Sequence, residues 1–334
     1  MTRASIELAR LDGMLRLLDR EAVMMLSAVL SLVESTNSSS IEEIRSTADD
    51  VFRSEKVVEK DAVRARDITE VLNCQRVLMQ GFDELPVGGR LDVGMIKRLH
   101  RMLMGDVPGS GEFKERQNAI GTATDTIETA KVVPASPESV DRLIDNWLEY
   151  VNSRSAGTIE KMVMAHYQFE VIHPFRDGNG RVGRLLALMI LRRDGLLRHP
   201  LLNLSGYLNS RRGEYIDLLY GVSSRDAIDD WLLFLAEGLR VQAISAARAV
   251  EELIGYRDRL NGMAEDLRES KVVGMLFVNP YITSRDIVET TGMSAPTANR
   301  ILKRFESIGV LREVTGRERN RLYCADNILE ILRW

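Results

Sequence analysis

One stretch of twelve residues decides what the middle of this chain can become: His173-Pro-Phe-Arg-Asp-Gly-Asn-Gly-Arg-Val-Gly-Arg184. Before it, from Thr158 to Ile172, Met162, Ala165, Phe169 and Ile172 recur at three- and four-residue spacing. That pattern predicts a helix with one buried face. Pro174 cannot continue the helix, so His173 stands at its C-terminal end. Gly178 and Gly180 flank Asn179 and let the backbone turn sharply. A second helix is predicted from Arg181 to Arg193, ended at Gly195. The chain must therefore build a helix, a tight loop and a second helix whose N-terminus faces that loop.

The chemistry follows from this geometry. The free N–H groups and positive dipole end of the second helix make an anion site. Asp177 offers a hard oxygen of the kind that binds Mg²⁺. Arg181 and Arg184, three apart, share a helical face and suit phosphate oxygens. A base, a metal carboxylate, backbone amides and two arginines thus lie together, as phosphoryl or nucleotidyl transfer requires. The string Gly178-x-Gly180-x-x-Gly183 matches a dinucleotide fingerprint, but a helix precedes it instead of a strand. No Gly-x4-Gly-Lys-Ser/Thr occurs, so a P-loop is excluded.

The segment resembles the signature of the Fic family, His-Pro-Phe-x-(Asp/Glu)-Gly-Asn-Gly-Arg-x-x-Arg, without a mismatch. The resemblance extends from about Ser31 to Gln242. It implies a protein adenylyltransferase that moves AMP from ATP onto a Ser, Thr or Tyr hydroxyl and releases pyrophosphate. It assigns His173 as general base and Asp177 as the Mg²⁺ ligand. It assigns Gly178, Asn179, Gly180, Arg181 and Arg184 to the nucleotide phosphates, and Phe175 to anchoring the loop. Leu204–Tyr215 resembles the stretch lining the family's adenine pocket. Tyr207 is a stacking candidate there, with a core tyrosine as the alternative. The segment Gly111–Gly121 resembles the approach to the family's flap, a hairpin that docks the target peptide by strand addition. Asn118, Ala119, Ile120 and Gly121 are its candidate docking residues. The residues themselves suggest that Asn118–Ile120 and Lys131–Val133 pair across a turn.

The polar run Glu34–Ser40 is read as a break between helices, with Ser38 or Ser39 capping the next one and Glu42 or Glu43 in its first turn. The string Ser38-Ser-Ser-Ile-Glu42-Glu43 also resembles the family's inhibitory motif, (Ser/Thr)-x-x-x-Glu-(Gly/Asn). The resemblance implies that Glu42 pairs with Arg184 and blocks the productive pose of the ATP γ-phosphate. Glu43 departs from the pattern, since Gly or Asn is usual there. Some braked members also remove AMP, and the sequence leaves the direction open. His100 and His166 read as satisfied core histidines. His199 carries no hypothesis.

Composition narrows the setting. At 334 residues the chain suffices for two or three cores. Leu, Met and Ala are plentiful and aromatics are only 6%, which favours helices. A net charge of −4 provides no global field for nucleic acid or acidic lipid. Two cysteines far apart do not suggest a disulfide framework. The N-terminal residues lack the apolar core of a signal peptide, and Ala22–Val33 is too short to span a bilayer. Cytoplasm without membrane association is expected.

Beyond a connecting helix at Tyr256–Ser270, Ile282–Gly292 and Ser294–Phe305 read as two helices of a winged helix-turn-helix. A strand pair follows around Thr315-Gly316-Arg317. Residues 271–334 hold ten Lys/Arg and seven Asp/Glu, a local net of +3. DNA binding and partner contacts are both open for it. The expected fold is mainly α: a helical region at 1–90 with the inhibitory motif, a Fic-type core with a small β-hairpin flap at 91–245, a connecting helix at 246–270 and a winged-helix domain at 271–334. Three functions are carried forward: adenylyl transfer to a target or to the chain itself, removal of AMP, and a DNA-binding regulator with a nucleotide-sensing core. A homodimer is left open.

Overall fold

The computed structural model describes residues 1–120, 132–153 and 156–333. The expectation of a mainly α protein with a small sheet holds. Helix α1 (Thr2–Leu15) lies along α11 (Ile228–Met263), and α2 (Arg20–Ile41) packs against α4 (Ala62–Glu84) and α9 (Leu204–Ser210). The central pair is α7 (Thr158–Ile172) and α8 (Asn179–Arg193); α6 (Val140–Asn152) packs on α7, α4 packs on α8, and α5 (Val93–Met104) lies against α4 and α6. Gly183 lets this pair approach closely: a Cβ there would lie 2.2 Å from a Glu170 carboxylate oxygen. Trp231 of α11 is fully buried and donates its ring N–H to the Val163 carbonyl at 3.1 Å, pinning α11 to α7.

Helix α2 corrects the reading of its own sequence. The polar run Glu34–Ser40 does not break it. Asp19 caps the start by accepting the Ala22 N–H, and the helix continues to Ile41. The run's polar groups turn back onto the preceding turn. Thr36 Oγ1 donates to the Leu32 carbonyl, Ser40 Oγ to that of Thr36, and Asn37 Nδ2 to that of Val33. A hydroxyl satisfied this way has no need to cap. The run also faces α9, where buried Glu34 accepts the N–H and hydroxyl of Ser205. Glu42 is thus the C-terminal cap of α2, not a first-turn residue of a later helix.

One further expectation changes. There is no separate connecting helix at Tyr256–Ser270: α11 runs unbroken to Met263, and α12 (Leu267–Val278) starts anew with Asp266 as its cap. The winged unit follows as β1 (Tyr281–Thr283), α13 (Ser284–Thr291), α14 (Ala295–Ser307), β2 (Arg312–Glu313) and β3 (Leu322–Cys324), closed by α15 (Asp326–Ile331). Its antiparallel sheet has the order β1-β3-β2. Ser294 caps α14, and Gly292 ends α13 in the left-handed conformation, φ +71°.

This unit is clasped to the helical region through α3 (Ala48–Ser54). Asn279 Nδ2 donates to the Phe52 carbonyl and to Glu55, Tyr281 OH donates to Asp49, and Lys56 pairs with Asp286 at 3.0 Å. Among the described residues, no helix is long and apolar enough to cross a membrane.

Candidate active site

His173 ends α7 in the left-handed conformation, φ +49°. Its Nδ1 lies 3.1 Å from the Glu170 carbonyl, which can only accept, so Nδ1 carries the proton. That leaves Nε2 with a free lone pair. Burial holds the ring's pKa down at about 4, with Glu42 and Asp177 pulling weakly upward. Neutral imidazole is therefore the resting form at neutral pH.

Phe175 is fully buried, and Asn179 shapes the loop around it. Asn179 Oδ1 accepts the Phe175 N–H and its Nδ2 donates to the Phe175 carbonyl, both at 2.8 Å. The Asn179 side chain is thereby committed to the loop, which leaves the cradling of an anion to main-chain amides. Gly178 caps α8 with φ +74°, a conformation that favours glycine. Asp177 is exposed, and its carboxylate has the Gly178 N–H at 2.6 Å.

Both arginines are buried and paired. Arg181 Nη1 donates to Glu70 of α4 at 2.9 Å, while its Nε has no partner among the described residues. Arg184 Nε donates to Ser38 Oγ at 2.9 Å, and Nη2 donates to the Ser38 carbonyl at 2.8 Å and to Glu42 Oε1 at 2.7 Å. Partial burial raises the Glu42 pKa, but Arg184, with help from Arg181 and His173, holds it below the ordinary carboxylate range. Behind Arg184, burial pushes the Glu170 carboxyl up to about 7 against the pull of Arg184.

Glu42 sits where the α8 N-terminus offers its amides. A Cβ on Gly180 would lie 2.2 Å from Glu42 Oε1 and 2.9 Å from Arg184 Nη1. Only a glycine lets the carboxylate reach this place. It occupies, as an anion, the helix end that favours anions.

Glu43 stands at φ +65°. The preference for Gly or Asn at this place thus acquires a physical reason, since a side chain there costs about 1–2 kcal/mol. Its carboxylate points toward Arg212, 3.7 Å away, and is mostly exposed. Glu43→Gly is expected to raise stability by about 1 kcal/mol and to leave the Glu42–Arg184 pair in place. Thermal unfolding of the two proteins checks this, and a lower midpoint for the glycine variant would refute it.

On the flap side, Asn118 Nδ2 donates to the Phe175 carbonyl at 2.9 Å, and Lys114 Nζ donates to Asn118 Oδ1 at 2.8 Å. Ile120 bridges Val132 in antiparallel fashion, its N–H on the Val132 carbonyl at 3.1 Å. Ala119 is partly exposed between them, and Gly121 lies outside the described residues. Tyr207 is buried against Phe234 and Gly238 of α11, with the Arg211 guanidinium 4.8 Å above its ring. His166 is buried, with Nε2 3.0 Å from the Tyr215 hydroxyl. Three residues that sequence reasoning did not single out as site residues belong to this region: Glu70 on Arg181, Ser38 on Arg184, and His100 under the loop. Only Ser38 carried a signal, as part of the inhibitory string.

Comparison with known proteins bears on this arrangement. Residues 90–191 match the family described as Fic/DOC, residues 1–83 match the Fic/DOC family N-terminal region, and residues 266–312 match a winged helix-turn-helix DNA-binding family. A probable protein adenylyltransferase of Aquifex aeolicus is 43% identical over 86 residues, 25% of this chain and 26% of the relative. Protein adenylyltransferase fic-1 of Caenorhabditis elegans is 33% identical over 129 residues, 37% of this chain and 22% of the relative. The matched stretch therefore spans about a quarter of the length of these relatives. A solved Fic family protein from Desulfovibrio desulfuricans superposes with a TM-score of 0.60 at 20% identity, over 97% of this chain and 95% of the other. A Fic domain-containing signalling protein from Bacteroides thetaiotaomicron gives 0.59 at 21% identity, over 74% and 97%.

Proposed function

The chain belongs to the Fic/DOC family, and from that premise we propose that it transfers AMP from ATP to a hydroxyl of a protein, held off at rest by Glu42. The observation that carries the proposal is the meeting at one helix end of a neutral, half-buried imidazole, main-chain amides and two buried arginines, each arginine paired with a displaceable carboxylate. The names of the relatives, protein adenylyltransferases, point the same way.

In this reading the target hydroxyl gives its proton to His173 Nε2 as its oxygen attacks the α-phosphorus. The bond from that phosphorus to the bridging oxygen breaks, and pyrophosphate leaves. The amides at Gly178 and Gly180 and the guanidinium groups of Arg181 and Arg184 stabilise the developing charge. Asp177 is the residue that would hold Mg²⁺. It is exposed, and among the described residues it has no ion pair and stands in no cluster of three ligating side chains. A single carboxylate suits an ion that takes its remaining ligands from phosphates and water. When bound, the ion would neutralise phosphate charge. Main-chain groups near Ile120 would align the target segment as an added strand.

The test is ATP labelled at the α-phosphate, with the full-length chain and its Glu42→Gly variant. Label should enter protein from the α position and not from the γ position, with a mass gain of one AMP moiety. No label from either protein, alone or in lysate, would sink the proposal.

A DNA-binding role for the winged unit is the second reading, favoured by the match at 266–312. The exposed face of α14 carries Arg300 and Lys303, whereas Arg304 is turned inward onto Glu265 and Glu269. Tight, sequence-specific DNA binding without AMP transfer would favour it.

A further inference from the structure

We propose that His100 is a positioning residue for this reaction: it holds the Asp177–Gly178 peptide in the orientation a nucleotide phosphate requires. The inference rests on the nucleotidyl-transfer reading above.

The ring of His100, on α5, is 3% exposed and lies flat on Phe175, with centroids 3.7 Å apart and planes 4° apart. Both its nitrogens are used. Nδ1 accepts the Gly111 N–H at 2.8 Å, so it carries no proton. Nε2 must then carry one, and it donates to the Asp177 carbonyl at 3.0 Å.

The consequence lies on the far side of the peptide. In a trans peptide the C=O and N–H point in opposite directions, and the chain has no cis bonds among the described residues. Holding the Asp177 carbonyl on His100 therefore aims the Gly178 N–H away from α5, toward the Asp177 carboxylate and the anion site. A flip of this plane would put a carbonyl oxygen where a phosphate oxygen must sit. Glycine at 178 accepts either sign of φ, so the backbone itself does not forbid that flip. The Asp177 carboxylate holds the N–H side of the plane at 2.6 Å, and His100 holds its carbonyl side. Gly111 and Phe175 in turn fix the ring, so the approach to the flap and the loop share one clamp.

A histidine that served packing alone would be replaceable by phenylalanine, which keeps the stack and the volume. The experiment compares His100→Phe and His100→Gln in the full-length Glu42→Gly protein. ADP and adenosine affinities are measured by calorimetry, with AMP transfer and thermal midpoints alongside. For His100→Phe, ADP binding is expected to weaken about tenfold, the scale of one lost hydrogen bond to a charged group. Adenosine binding should be unchanged, since it offers no phosphate to the Gly178 amide. His100→Gln, whose amide can reach the Asp177 carbonyl, should regain at least about threefold of the ADP affinity. If the Phe chain does not fold, His100→Leu takes its place. Unchanged ADP affinity, or equal weakening of ADP and adenosine, would overturn the role of His100 alone. A parent protein that neither binds ADP nor transfers AMP would overturn the functional reading beneath it.

Discussion

Replacing His173 by Ala in the Glu42→Gly protein is expected to slow AMP transfer by about 10²–10⁴, the usual contribution of a positioned general base. Nucleotide affinity should change by less than about threefold, because in the proposed mechanism the imidazole acts on the target hydroxyl and not on the phosphates. The pH dependence sharpens the expectation. Burial holds His173 near pKa 4, so the base is free throughout the neutral range. The acid limb of the rate should accordingly lie well below pH 6.5, and His173→Ala should remove it.

Stability carries the same sign. The unfolded chain binds a proton on His173 at about pH 6.5 and the folded chain only near 4. As pH falls through that window the unfolded state gains protons first, and stability drops. His173→Ala should flatten this part of the stability profile. Transfer rates and unfolding midpoints from pH 4 to 8 measure both effects. A variant within about tenfold of its parent in transfer would exclude His173 as the base.

How much of this could be read from the sequence depends on the range of the forces involved. The loop was legible because Pro174, Gly178 and Gly180 act on their own backbone, and the observed α7 ends at the expected residue. The winged unit was legible for the same reason, through Gly292, Ser294 and the turn before β3. Helix α2 was misread because serine, threonine and asparagine favour caps when local forces act alone. Here burial against α9 and bonds to the preceding turn decide the matter instead. Glu70 and His100 carried no signal. Each reaches the loop across a long stretch of chain, and neither spacing nor composition encodes such a meeting. The Glu42–Arg184 contact is equally remote in sequence, and only the resemblance of the Ser38–Glu43 string to a known motif drew attention to it.

That contact supports the second large expectation: Glu42→Gly should raise AMP transfer by about 10- to 100-fold. Arg184 is buried, and Glu42 holds it at 2.7 Å. An entering phosphate must displace a charge-assisted hydrogen bond of about 1.5–3 kcal/mol, at about 1.4 kcal/mol per factor of ten. It must also displace the carboxylate lodged against Gly180. Without ligand, the same substitution removes the carboxylate from Arg184 and leaves it the Ser38 hydroxyl and carbonyl and the neighbouring Tyr215, and should cost about 1–2 kcal/mol. That is below the loss for a fully buried pair, because the Glu42 side chain is 38% exposed. ATP should then restore stability more strongly in the variant than in the parent, since ligand binding and the missing carboxylate serve the same guanidinium. Glu42→Gln, which keeps the volume and loses the charge, should fall between the two. The sign with pH is fixed as well. The folded Glu42 titrates below its ordinary value, so its stabilising contact with Arg184 is present above the unfolded value of about 4.5. It is lost as pH falls through the lower folded one. The brake should therefore hold fully at neutral pH and be released by nucleotide and target, not by mild acid. Rates with and without the substitution, together with midpoints with and without ATP, decide the matter. A Glu42→Gly protein with the parent's rate and the parent's midpoint would leave Arg184 without a brake.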